Sequence, residues 1–231
     1  MSFLFPPRAP VAAPVLDRAE AFPIGRIYCV GRNYAAHARE MGGDLSEPPC
    51  FFAKDSDAYA PSGATIPYPP STSDYHYEAE LVVAIGAVGF NVAPEAAKGL
   101  IFGYAVGLDM TRRDLQNAAK KAGMPWDTAK NFPHSAPLGV ITPAAKAGDI
   151  ENAGISLDVN GVVRQQATIA DMIWNVPNII AYLSRLYALA PGDLIFTGTP
   201  EGIGPVKPGD ALVARVAGLS DLSVTIGEPA R

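Results

Sequence analysis

Apolar residues fall in short runs separated by turn-forming residues, and these runs predict strands at 27–30, 50–53, 81–85, 101–108, 155–159, 194–197, 212–216 and 222–226. Asn160-Gly161 lies between two strand-like runs. That dipeptide supplies the positive φ angles of a type I′ turn, so 155–159 is expected to pair with 162–165 as a hairpin. Proline and glycine, twenty-two of each, fall mostly between the runs. Such punctuation suits a compact β-rich roll and argues against a doubly wound α/β fold, in which strands would alternate with regular helices.

Three helices are expected. One runs from Asn33 towards Met41 and stops at Gly42-Gly43. A second starts at Thr111, with Asp114 three residues on as a capping-box-like partner, and ends at Gly123. The third follows Pro177 and sets Ile179, Leu183 and Leu186 on one face. The fold class is therefore α+β, predominantly β, with a proline-rich arm over 1–20 and a single domain over 21–231.

Composition narrows the function. The chain has 231 residues, 48% of them hydrophobic, which is enough for a full core. A formal net charge of -5 and the lack of any Lys/Arg-rich run leave no electrostatic footprint for a phosphate backbone, so nucleic acid is excluded as a partner. No run has the length of a signal peptide or a membrane span, and a cytoplasmic protein is expected. Cys29 and Cys50 sit in apolar runs and read as reduced thiols of buried strands.

The segment 76–85 reads as one strand whose second half is fully buried, yet Glu78 and Glu80 stand near its start. Side chains two apart on a strand point the same way with Cβ atoms roughly 7 Å apart, so both carboxylates can converge on one ion. Asp109 ends the apolar run 101–108 just before the second helix. Like charges held ~4 Å apart repel by about 4 kcal/mol at an effective dielectric of ~20, so three ionised carboxylates in one site need a counter-charge. A divalent cation supplies it, and all-oxygen ligation favours Mg²⁺, Mn²⁺ or Ca²⁺ over zinc or copper. From spacing alone the alternative stays open that the glutamates face solvent on an edge strand and Asp109 caps a helix.

Serine-hydrolase chemistry is excluded for His134-Ser135, because the chain has no Gly-x-Ser-x-Gly elbow. Thr197-Gly198-Thr199-Pro200 is not a nucleotide motif either, since no P-loop is present.

The order of motifs resembles the fumarylacetoacetate hydrolase family from Ile27 to the C-terminus. The resemblance rests on Gly31-Arg32-Asn33-Tyr34-Ala35-Ala36-His37, on Phe52-Ala53-Lys54 with Tyr59-Ala60-Pro61, and on His76-Tyr77-Glu78-Ala79-Glu80. It continues through 107–114, Trp126-Asp127-Thr128-Ala129-Lys130 and Thr197-Gly198-Thr199-Pro200. It implies a fumarylacetoacetate-hydrolase-like β-sandwich roll, a homodimer, and Mg²⁺ or Mn²⁺ held by Glu78, Glu80 and Asp109. It further implies a helix that closes over the site, His37 and Glu40 as a general-base pair, and Lys130 beside the metal. Arg32, Lys54, Arg113, Gln116 and Thr199 match positions that face a small acidic keto or diketo acid.

Within the family, the run from Pro61 to Pro70 looks most like members that split fumarylpyruvate into fumarate and pyruvate in aromatic-acid degradation. Asp55 and Tyr77 depart from the residues expected there. Decarboxylation of oxaloacetate and isomerisation of 2-hydroxyhepta-2,4-diene-1,7-dioate are the alternative reactions on the same metal. A metal-stabilised binding module is the non-enzymatic alternative.

Overall fold

The computed structural model describes residues 2–40 and 48–229, and of residues 38–40 the main chain only. Its largest sheet runs Cys50–Lys54, Ile27–Gly31, Leu194–Phe196, Ala79–Ile85, Ile101–Leu108, Ala136–Leu138, Tyr59–Pro61, with Thr142–Pro143 also paired to Ile101–Leu108. Apart from Glu80, the two long central strands carry no charged residue, because both faces of this sheet are covered. Leu81, Val83 and Ile85 point into one hydrophobic cluster, while Val82 and Ala84 point into a second.

A five-stranded sheet covers the first face, in the order Val162–Thr168, Gly154–Val159, Ala211–Val216, Leu222–Gly227, Thr65–Pro67. Its strands bury alternate residues, and Ile155, Leu157, Leu212, Ala214 and Val224 pack against the large sheet. The expected hairpin forms, with Val159 opposite Val162 and positive φ at Asn160 and Gly161. The second face is covered in part by residues of the expected arm over 1–20 and in part by the residues that follow it. Ala12–Ala13 pairs with Phe22–Pro23, and Ala13, Val15, Phe22 and Ile24 join Ile27, Val82 and Phe196 in the second cluster. Cys29 is buried there and Cys50 partly buried on the neighbouring strand, both free thiols.

Several local expectations are corrected. The segment 76–85 is not one strand. Tyr75–Tyr77 belongs to a three-stranded sheet with Thr111–Arg112 and Gly204–Pro205, Ala79–Ile85 belongs to the large sheet, and Glu78 lies in the break. The second helix is Arg113–Ala122, preceded by Arg112 without a side-chain cap. Thr111 cannot cap it, because Thr111 pairs with His76 and its hydroxyl donates to Asp109 O and accepts from Lys130 Nζ. The Asp114 carboxylate accepts instead from Thr72 Oγ1 and Ser73 N. Gly123 ends the helix at φ 65 as expected.

The third helix, Val176–Leu186, is capped by Asn175, whose side chain accepts from Asn178 N. Ile179 and Leu183 are buried, but Leu186 is 56% exposed and Ile180 takes the inward position. The first helix is Ala35–Glu40, and its expected end at Met41 to Gly43 lies outside the described residues.

Candidate metal centre

Glu78, in the break between two sheets, and Glu80, on the Ala79–Ile85 strand, meet Asp109 at the end of Ile101–Leu108. The strands pair so that Ala79 lies opposite Leu108, and Asp109 N donates to Glu78 O at 2.8 Å. One carboxylate oxygen from each residue lies within 4.8 Å of the others, and the residues are only 5%, 1% and 1% exposed. They form the floor of a cleft that opens to solvent.

Buried carboxylates need positive partners, and these are unevenly shared. Lys130 Nζ donates to Glu78 Oε2 at 2.7 Å, Asp109 Oδ2 at 2.6 Å and Thr111 Oγ1 at 2.7 Å, which commits all three of its hydrogens. Arg113 also pairs with Glu78. Burial opposes ionisation of Glu78, but Lys130, Arg113 and His37 outweigh it and hold its carboxyl well below the usual range.

Glu80 is in the opposite position. It accepts from Gly198 N at 2.7 Å, and among the described residues no cation is within ion-pair distance. Burial, and then the charges of Asp109 and Glu78, push its carboxyl well above the usual range. Asp109 Oδ1 makes no hydrogen bond, although Lys54 Nζ lies 2.9 Å away. A buried carboxyl that favours its proton, with no described cation at ion-pair distance, marks where positive charge is missing. Three convergent carboxylates suit a hard divalent cation there.

The main chain around Glu80 is equally specific. Gly198 has φ +97, and a Cβ on it would come within 2.7 Å of Asn33 Cβ, so glycine alone lets this N–H reach the carboxylate. Asn33 in turn is fully buried, donating to Trp174 O and Thr197 O and accepting from Trp174 N.

Residues 26–227 match the model of the fumarylacetoacetate hydrolase C-terminal domain. The chain belongs to the fumarylacetoacetate hydrolase family. Among members of that family, it is 50% identical to a fumarylpyruvate hydrolase of Ralstonia sp, over 77% of this chain and 92% of that one. It is 43% identical to an oxaloacetate tautomerase of Escherichia coli K12, over 86% and 91%. A crystal structure of fumarylpyruvate hydrolase from Pseudomonas aeruginosa in complex with Mn²⁺ and pyruvate superposes with a TM-score of 0.96 at 49% identity, covering 98% of this chain and 100% of that one.

The family positions singled out in the sequence fall mainly on one cleft. Arg32, His37, Arg113, Gln116, Lys130 and Thr199 all line it. Arg113 donates to Gln116 Oε1, as their i, i+3 spacing permits. The side chain of Glu40 lies outside the described residues.

Lys54, expected to touch substrate, is corrected. Its side chain is 0% exposed behind Asp109, where it donates to Met110 O, Lys130 O and Ser135 Oγ, so it supports the floor from below. Ser135 has a structural task there, since its hydroxyl donates to Lys130 O. The Thr199 hydroxyl donates to Ala79 O and accepts from Gln165 Nε2, so what Thr199 can donate to a carboxylate is its main chain only. Neither Asp55 nor Tyr77 lines the cleft. Asp55 bonds Asn131 at the surface, and Tyr77 packs on Gly204. His76 bonds Asp74 at 2.7 Å.

Phe52, Trp126 and Lys120 also line the cleft and were given no role from sequence. Phe52 and Trp126 lay inside quoted motifs. Lys120 is seven residues after Arg113 on the same helix, a spacing that could have found it.

Proposed function

We propose that this chain is a divalent-metal-dependent hydrolase that breaks a carbon–carbon bond in an acylpyruvate, converting fumarylpyruvate to fumarate and pyruvate. The observation that carries the reading is the buried Glu78, Glu80 and Asp109 cluster with its unmet positive charge, in a chain 49% identical to a fumarylpyruvate hydrolase seen with Mn²⁺ and pyruvate. Glu78, Glu80 and Asp109 hold Mg²⁺ or Mn²⁺. When bound, the cation supplies a Lewis acid for the 2-oxo acid end of the substrate.

The remaining work falls to side chains around the cleft. His37, oriented by Glu40 one turn on, takes a proton from water, which then attacks the distal carbonyl. Lys130 donates to the oxyanion that forms, exchanging one of its three present acceptors for it. The carbon–carbon bond breaks as that oxyanion collapses; its electron pair departs with the pyruvate fragment as an enolate, which takes back the proton held by His37, and the acyl group is released as a carboxylate. Arg32, Arg113 and Gln116 hold the acidic substrate against the floor. On this reading the protein works as a homodimer in the cytoplasm; no described helix is long and apolar enough to cross a membrane.

Oxaloacetate tautomerisation is the second reading, favoured by the 43% identity to a tautomerase. Loss of diketo-acid absorbance for fumarylpyruvate, acetylpyruvate and oxaloacetate, each with Mg²⁺, Mn²⁺ and EDTA, separates the readings. Release of fumarate and pyruvate that EDTA abolishes is expected. An absorbance change that leaves every carbon–carbon bond intact supports the tautomerase, and carbon dioxide from oxaloacetate a decarboxylase. No turnover of any substrate leaves only a binding module.

A further inference from the structure

Arg113, Gln116 and Lys120 stand at i, i+3 and i+7 of the Arg113–Ala122 helix, and all three line the cleft. They differ in what they already hold. Arg113 and Gln116 are buried and bonded at the floor, Arg113 to Glu78 and to Gln116 itself. Lys120 is half-buried and lies roughly 10 Å along the helix axis from Arg113 at 1.5 Å per residue. Among the described residues it has no carboxylate partner within ion-pair distance; its ammonium lies 5.3 Å from the centre of the Trp126 ring.

Between floor and rim the wall is aromatic. Lys130 Nζ lies 5.1 Å from the Phe52 ring, Phe52 lies 5.9 Å from Trp126, and Trp126 carries Lys120. A flat conjugated chain can run along these rings, with a cation waiting at each end.

We propose that Lys120 determines substrate specificity by pairing with a carboxylate at the end of the substrate remote from the three carboxylates. This rests on the acylpyruvate reading and names the part of the substrate that the cleft selects. Two helical turns, roughly 10 Å of axis, separate Lys120 from Arg113, about the length of an extended dicarboxylate such as fumarylpyruvate. Acetylpyruvate lacks the far carboxylate and leaves Lys120 unmatched. Partial burial, then the charge of Arg113, lowers the pKa of the Lys120 ammonium, and an incoming anion would relieve both effects.

The test compares kcat/KM for fumarylpyruvate and acetylpyruvate in the Mn²⁺-loaded wild type, Lys120→Met and Lys120→Arg. In Lys120→Met the fumarylpyruvate to acetylpyruvate ratio is expected to fall about 10- to 100-fold, the effect of losing one charge-assisted contact, through KM rather than kcat. Lys120→Arg is expected to restore most of the ratio. Wild-type turnover of fumarylpyruvate with an unchanged ratio in Lys120→Met overturns the role of Lys120 alone. An arginine variant as impaired as the methionine one does the same, because charge would not be the cause. A wild type that cleaves neither compound overturns the acylpyruvate reading itself, and this inference with it. Acetylpyruvate turnover by Lys120→Met reports that the variant is folded.

Discussion

The floor of the cleft and its wall are built on different principles. Glu78, Glu80 and Asp109 are fixed by the two long central strands, and the cations at the floor are engaged with carboxylates or main chain. The wall stands on the six-residue helix Ala35–Glu40 and the ten-residue helix Arg113–Ala122, elements too short to be stable alone. A site that must hold a highly charged ion in one geometry, yet admit and release an organic acid, benefits from this division. Rigid sheet carries the ion, and the adaptable helices meet the substrate.

The division is tested most strongly at Glu80. Glu80→Gln is expected to lose Mn²⁺ binding by calorimetry and to slow turnover by about 10³-fold or more, the several kcal/mol a Lewis acid contributes. Urea unfolding of the metal-free variant is expected to match or exceed wild type, because a buried carboxyl without a cation is removed. Normal Mn²⁺ affinity would take Glu80 out of the ligand set. On the wall, His37→Ala is expected to slow turnover about 10²- to 10⁴-fold while Mn²⁺ still binds with wild-type affinity. If metal and activity vanish together there, floor and wall are not separable.

Lys54 sharpens the contrast from beneath. Lys54→Met leaves Asp109 without that support and is expected to destabilise the protein by about 3–5 kcal/mol, read by urea denaturation. A rise in KM with stability unchanged would return Lys54 to the substrate.

The smallest effect is expected at the wall's outer edge, where the Asp114 carboxylate ties the Arg113–Ala122 helix to Thr72 and Ser73. Partial burial raises its pKa, but donors from Thr72, Ser73 and Leu115 outweigh that and set it below the ordinary value. Its contribution is therefore complete above pH ~4 and is lost as pH falls through the depressed value. Asp114→Asn is expected to lower stability by about 1 kcal/mol at neutral pH, a difference that fades on acidification. A constant difference across pH would remove the charge from the explanation.

The floor was more legible in the sequence than the wall, for a physical reason. Carboxylates inside or at the ends of apolar runs are costly, so Glu78, Glu80 and Asp109 stand out locally, while spacing alone left a solvent-facing alternative open and the family resemblance joined them into one ligand set. Strand periodicity and the Asn160-Gly161 turn likewise report local preferences that the sheets keep. What stayed hidden depends on pieces of chain that meet only on folding. Lys54 reads as a substrate contact until Asp109 and Ser135 are seen in front of it. Thr111 reads as a helix cap until His76 pairs with it, and segment 76–85 reads as one strand until two sheets divide it at Glu78. Leu186 satisfies a helical stripe whose last turn runs past the core.

The place of Leu194–Phe196 in the large sheet bears on how the molecule comes into being. This strand lies parallel to Ile27–Gly31 on one side and antiparallel to Ala79–Ile85 on the other. Both neighbours leave the ribosome more than a hundred residues before it does. Until then each exposes an unpaired strand edge of high apolar content, a template for association with other nascent chains. The middle of the sheet, and with it the Thr197-Gly198 turn that holds Glu80, closes only once this late strand has emerged, so slow, chaperone-sensitive maturation is the expected outcome.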